Sequence, residues 1–296
     1  MTIKHLVISG GGPTGFVVYG ALRELAKKEF WSLEHIESIY GTSVGSFIGV
    51  IISLGYEWEW IDDYLTKRPW SKVADLTPMT FVEAFHKKGV IDESVIHESI
   101  APLFTAKDMP ADITLAGLYE ATQIDTHIFT TEINGERLTK VDLSHTTHPD
   151  LVVSRAIAMS AAFPFVFCPV CVDDKCYIDG GMVNNFPLED CFKQKECDKS
   201  EVLAFKNIWK DSHERITNES TMVDFLSVLI RRMKVEVDME PKQRAIEHIV
   251  KFVFDDMNGF DSWVAAAETE EMRLKLVNRG VIQADIFLEY LTQRCE

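Results

Sequence analysis

The serine at position 43 lies in a sequence that favours nucleophilic chemistry. Residues 41–45 read Gly-Thr-Ser-Val-Gly, a G-x-S-x-G motif that follows an apolar segment and precedes a stretch with helical apolar periodicity. A serine on a tight turn from a strand into a helix needs small neighbours, because its backbone is strained and larger side chains would clash. The turn exposes the hydroxyl, and the helix dipole favours the oxyanion formed by attack on a carbonyl carbon. Ser43 is therefore a candidate nucleophile, with Gly41 and Gly45 forming the nucleophile turn around it.

A glycine-rich loop precedes this motif in the chain. Residues 10–15 read Gly-Gly-Gly-Pro-Thr-Gly between a predicted strand and a predicted helix, so their N–H groups can bind an anionic oxygen at a helix N-terminus. Gly10, Gly12 and Gly15 also match the G-x-G-x-x-G spacing of dinucleotide-binding loops. A dinucleotide site further requires an acidic residue at the end of the second strand, to bind a ribose. Here that strand ends at Tyr40 and continues into the serine motif, which favours an oxyanion hole over a nucleotide site.

A candidate catalytic carboxylate follows a later predicted strand, residues 176–178. Asp179 precedes Gly180 and Gly181, and a lone Asp-Gly-Gly sequence is ordinarily a turn. The order of the motifs along the chain supports a catalytic role for Asp179. A glycine loop follows the first strand, a serine follows the second strand, and this carboxylate ends a later strand. A carboxylate can accept a serine proton directly when a short hydrogen bond and partial desolvation adjust its basicity. Asp179 is therefore the candidate partner of Ser43, in an aspartate motif completed by the two glycines.

A catalytic triad is the alternative, because His213 and His248 follow Asp179 in the chain. α/β-Hydrolases present their serine, acid and histidine in that order. We interpret residues 245–250, which include His248, as one face of a helix, and His213 lies in a polar, charged stretch. Neither histidine follows a strand into a glycine-rich loop, so the sequence favours a Ser-Asp dyad.

The elements that must position these residues alternate between strands and helices. Apolar patterns predict strands at residues 4–9, 36–40, 124–132, 176–178 and 202–205, and helices at residues 14–30, 44–54 and 151–160. Asn134 and Gly135 predict a hairpin turn after the third of these strands, and residues 57–120 read as several amphipathic helices. Strands that alternate with helices imply an α/β fold with a mostly parallel sheet covered on both faces.

The length of 296 residues is near the upper limit for one hydrophobic core. We expect a catalytic core at residues 1–205 and a helical C-terminal extension at residues 206–296, packed on the core so that the two form one structural unit. From Thr221 onward, apolar residues recur at helical spacing.

The formal net charge of −16 excludes a nucleic-acid partner, because phosphate binding needs a basic face. It also disfavours strongly anionic bilayers, which attract clustered Lys and Arg. No apolar run reaches the roughly 18–20 residues of a transmembrane helix. The N-terminus has no signal-peptide pattern, so we expect a cytoplasmic protein.

The six cysteines raise the question of a metal site or disulfides. Cys168 and Cys171 form a C-x2-C pair with Cys176 nearby, but no second pair at a zinc-ligand spacing follows. Without a secretory context an even number of cysteines does not imply disulfides. We therefore expect reduced thiols, and neither a metal nor an organic cofactor.

Taken together, these motifs make the chain similar to the patatin-like phospholipase family. The segments that carry the resemblance are residues 10–15, 41–45, 160–164, 179–181 and 184–188, and the segment around Gly280, residues 276–288, resembles the family's closing helix pair. The main resemblance extends from residue 4 to about residue 205. It implies a three-layer α/β/α fold and a Ser-Asp dyad acting on acyl chains of phospholipids or neutral glycerolipids.

The resemblance also implies a role for each motif. Ser43 would be the nucleophile and Asp179 the general base, with no metal or cofactor. The glycine loop would form the oxyanion hole, from Gly10, Gly11, Gly12 and Gly15. The family often carries Arg or Lys immediately before the last glycine of this loop, and here the residue is Thr14. Since backbone donors bind the oxyanion, activity should survive this change, but the case for a phospholipid over a neutral ester is weaker without the cation.

Two other functions fit the same motifs. A catalytically silent module could keep the fold to bind a lipid or a protein, although it would not need Ser43 opposite Asp179. An acyltransferase would share the acyl-enzyme and differ only in its acceptor. For the hydrolase we expect a lipid or acyl-ester substrate and transient contact with a membrane or lipid-droplet surface.

Overall fold

The computed structural model describes residues 2–70, 86–210, 215–220, 222, 225–226, 228–230, 232–233, 246–254 and 260–295. His213 and much of the segment from Thr221 to residue 245 lie outside the described residues.

A central sheet holds the fold together. Its strands are β1 (His5–Ile8), β2 (Ser38–Thr42), β4 (Asp125–Glu132), β5 (Thr139–Leu143), β7 (Val170–Val172), β8 (Lys175–Asp179), β9 (Val202–Trp209) and β10 (His248–Phe254), while β3 (Gly89–Ile91) and β6 (Phe165–Phe167) form a separate pair. The order across the sheet is β10-β9-β1-β2-β4-β8-β7, with β5 also paired to β4. The first five strands of this order run parallel to their neighbours, and β5, β7 and β8 join by antiparallel pairing.

Helices cover both faces of the sheet. Within the described ranges they are α1 (Gly15–Lys27), α2 (Val44–Ser53), α3 (Trp58–Lys67), α4 (Glu93–Thr105), α5 (Leu115–Thr122), α6 (Val153–Ala161), α7 (Leu188–Lys195), α8 (Phe260–Glu268) and α9 (Glu270–Cys295). Side chains of a strand alternate between the two faces, and the core divides accordingly. Leu6 and Ile8 belong to the larger core, whereas Val7 and Tyr40 belong to a smaller core under α7. The predicted α/β fold, with a mostly parallel sheet between helices, is confirmed.

The C-terminal region contributes a strand as well as helices. The prediction of a helix at residues 245–250 is wrong, because His248–Phe254 forms β10 and pairs with β9. Burial alternates along β10, with Val250, Phe252 and Phe254 inside. The four apolar residues within 245–250 fit the period of a helix as well as that of a strand, and pairing with β9 selects the strand. The boundary at residue 205 stays a prediction, and β9 continues past it to Trp209.

The helix pair expected at residues 276–288 is also not present. One helix, α9, runs from Glu270 to Cys295. Gly280 lies inside it, where an added Cβ would be 2.0 Å from the backbone oxygen of Val17 in α1. This glycine therefore allows α9 and α1 to pack closely, and it does not end a helix.

Two of the cysteines expected to be reduced are bonded to each other. Cys171 and Cys176 lie directly opposite one another in the β7–β8 hairpin and form a disulfide. The strand register brings them together, and spacing along the chain could not indicate this. Cys168, Cys191 and Cys197 are free thiols.

Candidate active site

Ser43 occupies the turn between β2 and α2. Its φ of 54° and ψ of −126° are rare for a residue with a side chain, and such strain is typical of residues held for function. The serine is 6% exposed and lies at the N-terminus of α2. Two residues away on each side, only glycine fits. An added Cβ on Gly45 would lie 2.4 Å from a carbonyl oxygen of β1, and an added Cβ on Gly41 would lie 2.7 Å from the carbonyl group of Gly45.

Ser160, at the end of α6, connects the nucleophile turn to the sheet. The N–H of Ser43 donates to Oγ of Ser160 at 2.8 Å, and this hydroxyl donates to the carbonyl oxygen of Phe129 at 2.5 Å. All three residues are buried. In the sequence, Ser160 stands out only as part of a family-like segment, with no predicted role of its own. A serine on an otherwise apolar helix end was the available signal.

The strand register brings Asp179 to the nucleophile turn. β5 pairs with Ile128–Glu132 along one edge of β4. β2 and β8 each pair with some of these same residues, so both must lie on the other edge of β4. β2 ends with Thr42 opposite Phe129, and β8 approaches from the other direction and ends with Asp179 opposite Thr130. These two positions on β4 are one residue apart, about 3.3 Å. The strand that leads into Ser43 and the strand that ends at Asp179 therefore meet end to end.

Glycine at position 180 makes this meeting possible. An added Cβ on Gly180 would lie 2.1 Å from the carbonyl oxygen of Phe129 and 3.0 Å from Cγ2 of Thr42. Asp179 is 3% exposed, and its Oδ1 accepts a hydrogen bond from the N–H of Gly181 at 2.7 Å. The backbone N–H of Asp179 donates to the carbonyl oxygen of Ala162 at 2.9 Å. The aspartate motif is thus held against Thr42, the residue that precedes Ser43.

The segment after the aspartate motif joins all three motifs. The hydroxyl of Thr42 donates to the carbonyl oxygen of Asn184 at 2.9 Å. The N–H of Gly10 donates to the carbonyl oxygen of Asn185 at 3.1 Å. This segment therefore connects the nucleophile turn with the glycine loop.

The glycine loop passes directly beside Ser43. An added Cβ on Gly10 would lie 3.0 Å from Cβ of Ser43. Gly12 has a φ of 57° and begins a short 3-10 turn, and Gly15 is the first residue of α1. Gly11 and Gly12 are both partly exposed. The loop that was predicted as an oxyanion hole and the predicted nucleophile are thus in contact.

Thr14, where the family often has a cation, faces the protein interior. It is 1% exposed, and its hydroxyl donates to the carbonyl oxygen of Gly11 at 3.1 Å. The same hydroxyl accepts a hydrogen bond from Nδ2 of Asn207 at 2.7 Å. The side chain at this position therefore holds the loop from the inside of the protein.

His248 lies far from this site. His248 is the first residue of β10 and pairs with Leu203 of β9, which is in register with Ile39 of β2 across the sheet. Relative to His248, Ser43 lies four residues further along the strand direction, about 13 Å. It also lies three strands away across the sheet, about 14 Å. His248 contacts the ring of Phe30 instead. Of the two histidines that a triad could use, His248 is excluded and His213 lies outside the described residues.

A second group of buried charges lies on β4, away from Ser43. His127 is between Asp125 and Asp142, with nitrogen–oxygen distances of 3.2 and 2.9 Å, and its ring stacks on Tyr40. Burial alone would lower the pKa of His127, but hydrogen bonds and attraction from both carboxylates outweigh it and raise the pKa to about 9. Although burial opposes ionisation, His127 and Lys195 hold the pKa of Asp125 well below its usual range. This network joins β4, β5 and α7 by charge.

Among the described residues, no group of three or more His, Cys, Asp or Glu side chains could hold a metal ion. In the same part of the chain, no helix is both long and apolar enough to cross a membrane.

Residues 6–192 match the family model of the patatin-like phospholipases. This stretch contains the glycine loop, the nucleophile turn and the aspartate motif, the three segments that meet in the structure.

Two viral proteins are similar in sequence. An uncharacterised protein, R571, of Acanthamoeba polyphaga mimivirus is 28% identical over 205 residues, which cover 69% of this chain and 66% of that protein. The probable lipid hydrolase 463L of Invertebrate iridescent virus 6 is 27% identical over 190 residues, which cover 64% of this chain and 63% of that protein. The chain thus spans somewhat less than two thirds of the length of the curated relatives it matches.

One solved structure shares the fold over nearly the whole chain. VipD of Legionella pneumophila superimposes with a TM-score of 0.58 and 15% sequence identity, covering 98% of this chain and 67% of VipD.

Proposed function

The chain belongs to the patatin-like phospholipase family, and we propose that it hydrolyses carboxylic esters of lipids with Ser43 as the nucleophile and Asp179 as the general base. The observation that supports this best is the meeting of β2 and β8 along one edge of β4, which brings the two motifs together. The glycine loop beside Ser43 supplies backbone donors at the same point. A nucleophile, a carboxylate and N–H donors in one place are the components of acyl transfer through a covalent intermediate.

The reaction has two steps. Oγ of Ser43 attacks the ester carbonyl carbon while the carboxylate of Asp179 accepts the hydroxyl proton, and the N–H groups of Gly11 and Gly12 bind the oxyanion. The alcohol part of the lipid leaves with a proton returned from Asp179, which gives an acyl-enzyme. Water then gives a proton to Asp179 and attacks the acyl group, and the fatty acid is released as Oγ of Ser43 leaves and takes that proton back from Asp179.

The substrate class follows from the surroundings of the loop. Because residue 14 is a neutral threonine with a buried side chain, this position offers no cation to a phosphate headgroup. We infer that the acyl chain and the ester group are recognised, in phospholipids or neutral glycerolipids alike. The enzyme meets its substrate by transient contact with a lipid surface.

The test compares four proteins on a medium-chain p-nitrophenyl ester and then on a mixed lipid extract, with products identified by mass spectrometry. Ser43→Ala and Asp179→Asn should each lose activity by at least about 10³-fold while the circular dichroism stays unchanged. Ser53→Ala is the matched control, because this buried serine lies in α2 and donates only to the carbonyl oxygen of Val50 in the same helix. Full activity in Ser43→Ala would end the proposal.

The same experiment separates hydrolysis from acyl transfer. With a lysolipid or glycerol added, a hydrolase continues to release mainly fatty acid, whereas a transferase forms a new ester. A silent binding module would release nothing in any of the four proteins.

A further inference from the structure

The carbonyl group of Gly10 is held by two buried amide side chains. Nδ2 of Asn185 donates to it at 3.3 Å and Nδ2 of Asn207 donates to it at 3.1 Å. Asn185 is 9% exposed and Asn207 is 5% exposed. The two amides come from different parts of the chain, the segment after the aspartate motif and strand β9.

This anchoring determines where the N–H of Gly11 points. A trans peptide unit is planar, and its C=O and N–H point in opposite directions. The carbonyl of Gly10 and the N–H of Gly11 belong to one such unit. Since the carbonyl points at the buried amides, the N–H of Gly11 points away from them, toward the partly exposed side of the loop.

The next peptide unit is anchored in the same way. The carbonyl oxygen of Gly11 accepts hydrogen bonds from the hydroxyl of Thr14 at 3.1 Å and from its N–H at 3.3 Å. The N–H of Gly12 therefore also points away from the interior. Asn207 supports this unit indirectly, because it donates to the hydroxyl of Thr14.

The orientation of the Asn207 amide follows from its neighbours. Both atoms that its Nδ2 contacts act as acceptors, since the hydroxyl of Thr14 already donates to Gly11. Exchanging the amide oxygen and nitrogen would place an oxygen against the carbonyl oxygen of Gly10. As it stands, Oδ1 of Asn207 is buried without a hydrogen-bond partner among the described residues. An unsatisfied buried oxygen lowers stability, a cost that an apolar side chain at this position would avoid.

We propose that Asn207 is a positioning residue for the oxyanion hole, acting with Asn185 and Thr14 to aim the N–H groups of Gly11 and Gly12 at the reacting carbonyl. The inference rests on the proposed function. Asn207 touches no reacting atom, and it acts through the carbonyl of Gly10 and the hydroxyl of Thr14. The donors are thereby aligned before substrate binds, which avoids reorganisation during the reaction.

The test measures kcat and KM for Asn207→Ala, Asn185→Ala and Thr14→Val, with Thr14→Ser as the conservative variant that keeps the hydroxyl. Removing one oxyanion-hole donor outright costs about 10²–10³-fold in kcat, so misaligning one should cost about 10–100-fold. KM should stay within about twofold, because the ground-state ester gains little from these donors. Thr14→Ser should retain the wild-type kcat.

A second measurement distinguishes positioning from general loosening of the fold. An oxo ester and its thiono analogue differ in the atom that enters the oxyanion hole, and sulfur is the weaker hydrogen-bond acceptor. The wild type should prefer the oxo ester, and the ratio of the two rates should fall in Asn207→Ala.

Ser38→Ala is the matched control, because it removes the buried hydrogen bond to His5, 2.8 Å long, at the other end of the strands that lead into the site. It should lower the melting temperature and leave both kcat and the rate ratio unchanged.

Two results would overturn the inference: wild-type kcat in Asn207→Ala, or a lower kcat with an unchanged rate ratio. The proposed function fails by a different result, esterase activity that persists in Ser43→Ala.

Discussion

Replacing Gly10 with alanine tests whether the glycine loop lies against the reacting centre. An added Cβ would be 2.6 Å from Oδ1 of Asn185, 3.0 Å from Cβ of Ser43 and 3.2 Å from the carbonyl oxygen of Thr42. Relaxed contacts between such atoms begin at about 3.5 Å, so the loop, the amide or the serine must move by roughly 0.5–1 Å. A misplacement of about 1 Å at a reacting centre can lower the rate about 10²-fold. We therefore expect kcat of Gly10→Ala to fall by about 10–100-fold, which corresponds to about 1.4–2.7 kcal/mol.

The assay is steady-state hydrolysis of a medium-chain p-nitrophenyl ester, with the folded fraction measured by thermal unfolding. Gly117→Ala is the matched control, because this glycine lies in α5 and the closest contact of its added Cβ is 3.0 Å, to Cγ1 of Ile113. That variant should keep its kcat. A Gly10→Ala protein that is folded and retains kcat within about twofold would refute the placement of the loop beside the reacting carbonyl.

Two further predictions concern Ser160 and His127. Ser160→Ala leaves the N–H of Ser43 and the carbonyl oxygen of Phe129 without their shared partner. It should lower the free energy of unfolding, measured with urea, by about 1–3 kcal/mol, and it should also lower kcat for ester hydrolysis. An unchanged kcat would contradict the role of Ser160 in holding the turn. His127 has a folded-state pKa of about 9, above its usual 6.5, so its stabilising effect is complete below about pH 6.5 and is lost as the pH rises through 9. The difference in melting temperature between wild type and His127→Gln should accordingly shrink from pH 6 to pH 10, and a constant difference would show that the charge of His127 adds no stability.

Local sequence was sufficient to predict a tight strand-to-helix turn at Ser43 and a glycine loop that begins at Gly10. Ser43 and Gly10 each lie where a strand enters a helix, and the conformations they need depend on residues within a few positions of them. The strand and helix patterns around them also predicted the α/β class, which is confirmed.

Features that depend on pairing between distant segments were not predictable in the same way. Residues 245–250 fit a helix until β9 supplies a partner strand, and Cys171 and Cys176 form a disulfide because the hairpin register puts them opposite each other. Asn207 stands out in the sequence only as a polar residue in an apolar strand, since its partners on the glycine loop are nearly 200 residues away.

The sequence by itself therefore determined a strained serine, a loop rich in backbone donors and an aspartate followed by two glycines. Tertiary structure alone decided that these parts meet. β8 pairs antiparallel to β4 on the part of the shared edge that β2 leaves free, so Asp179 stops one residue short of the level of Thr42. Turn conformation is a local property of the backbone, whereas strand register is decided by which side chains can be buried together across the whole sheet.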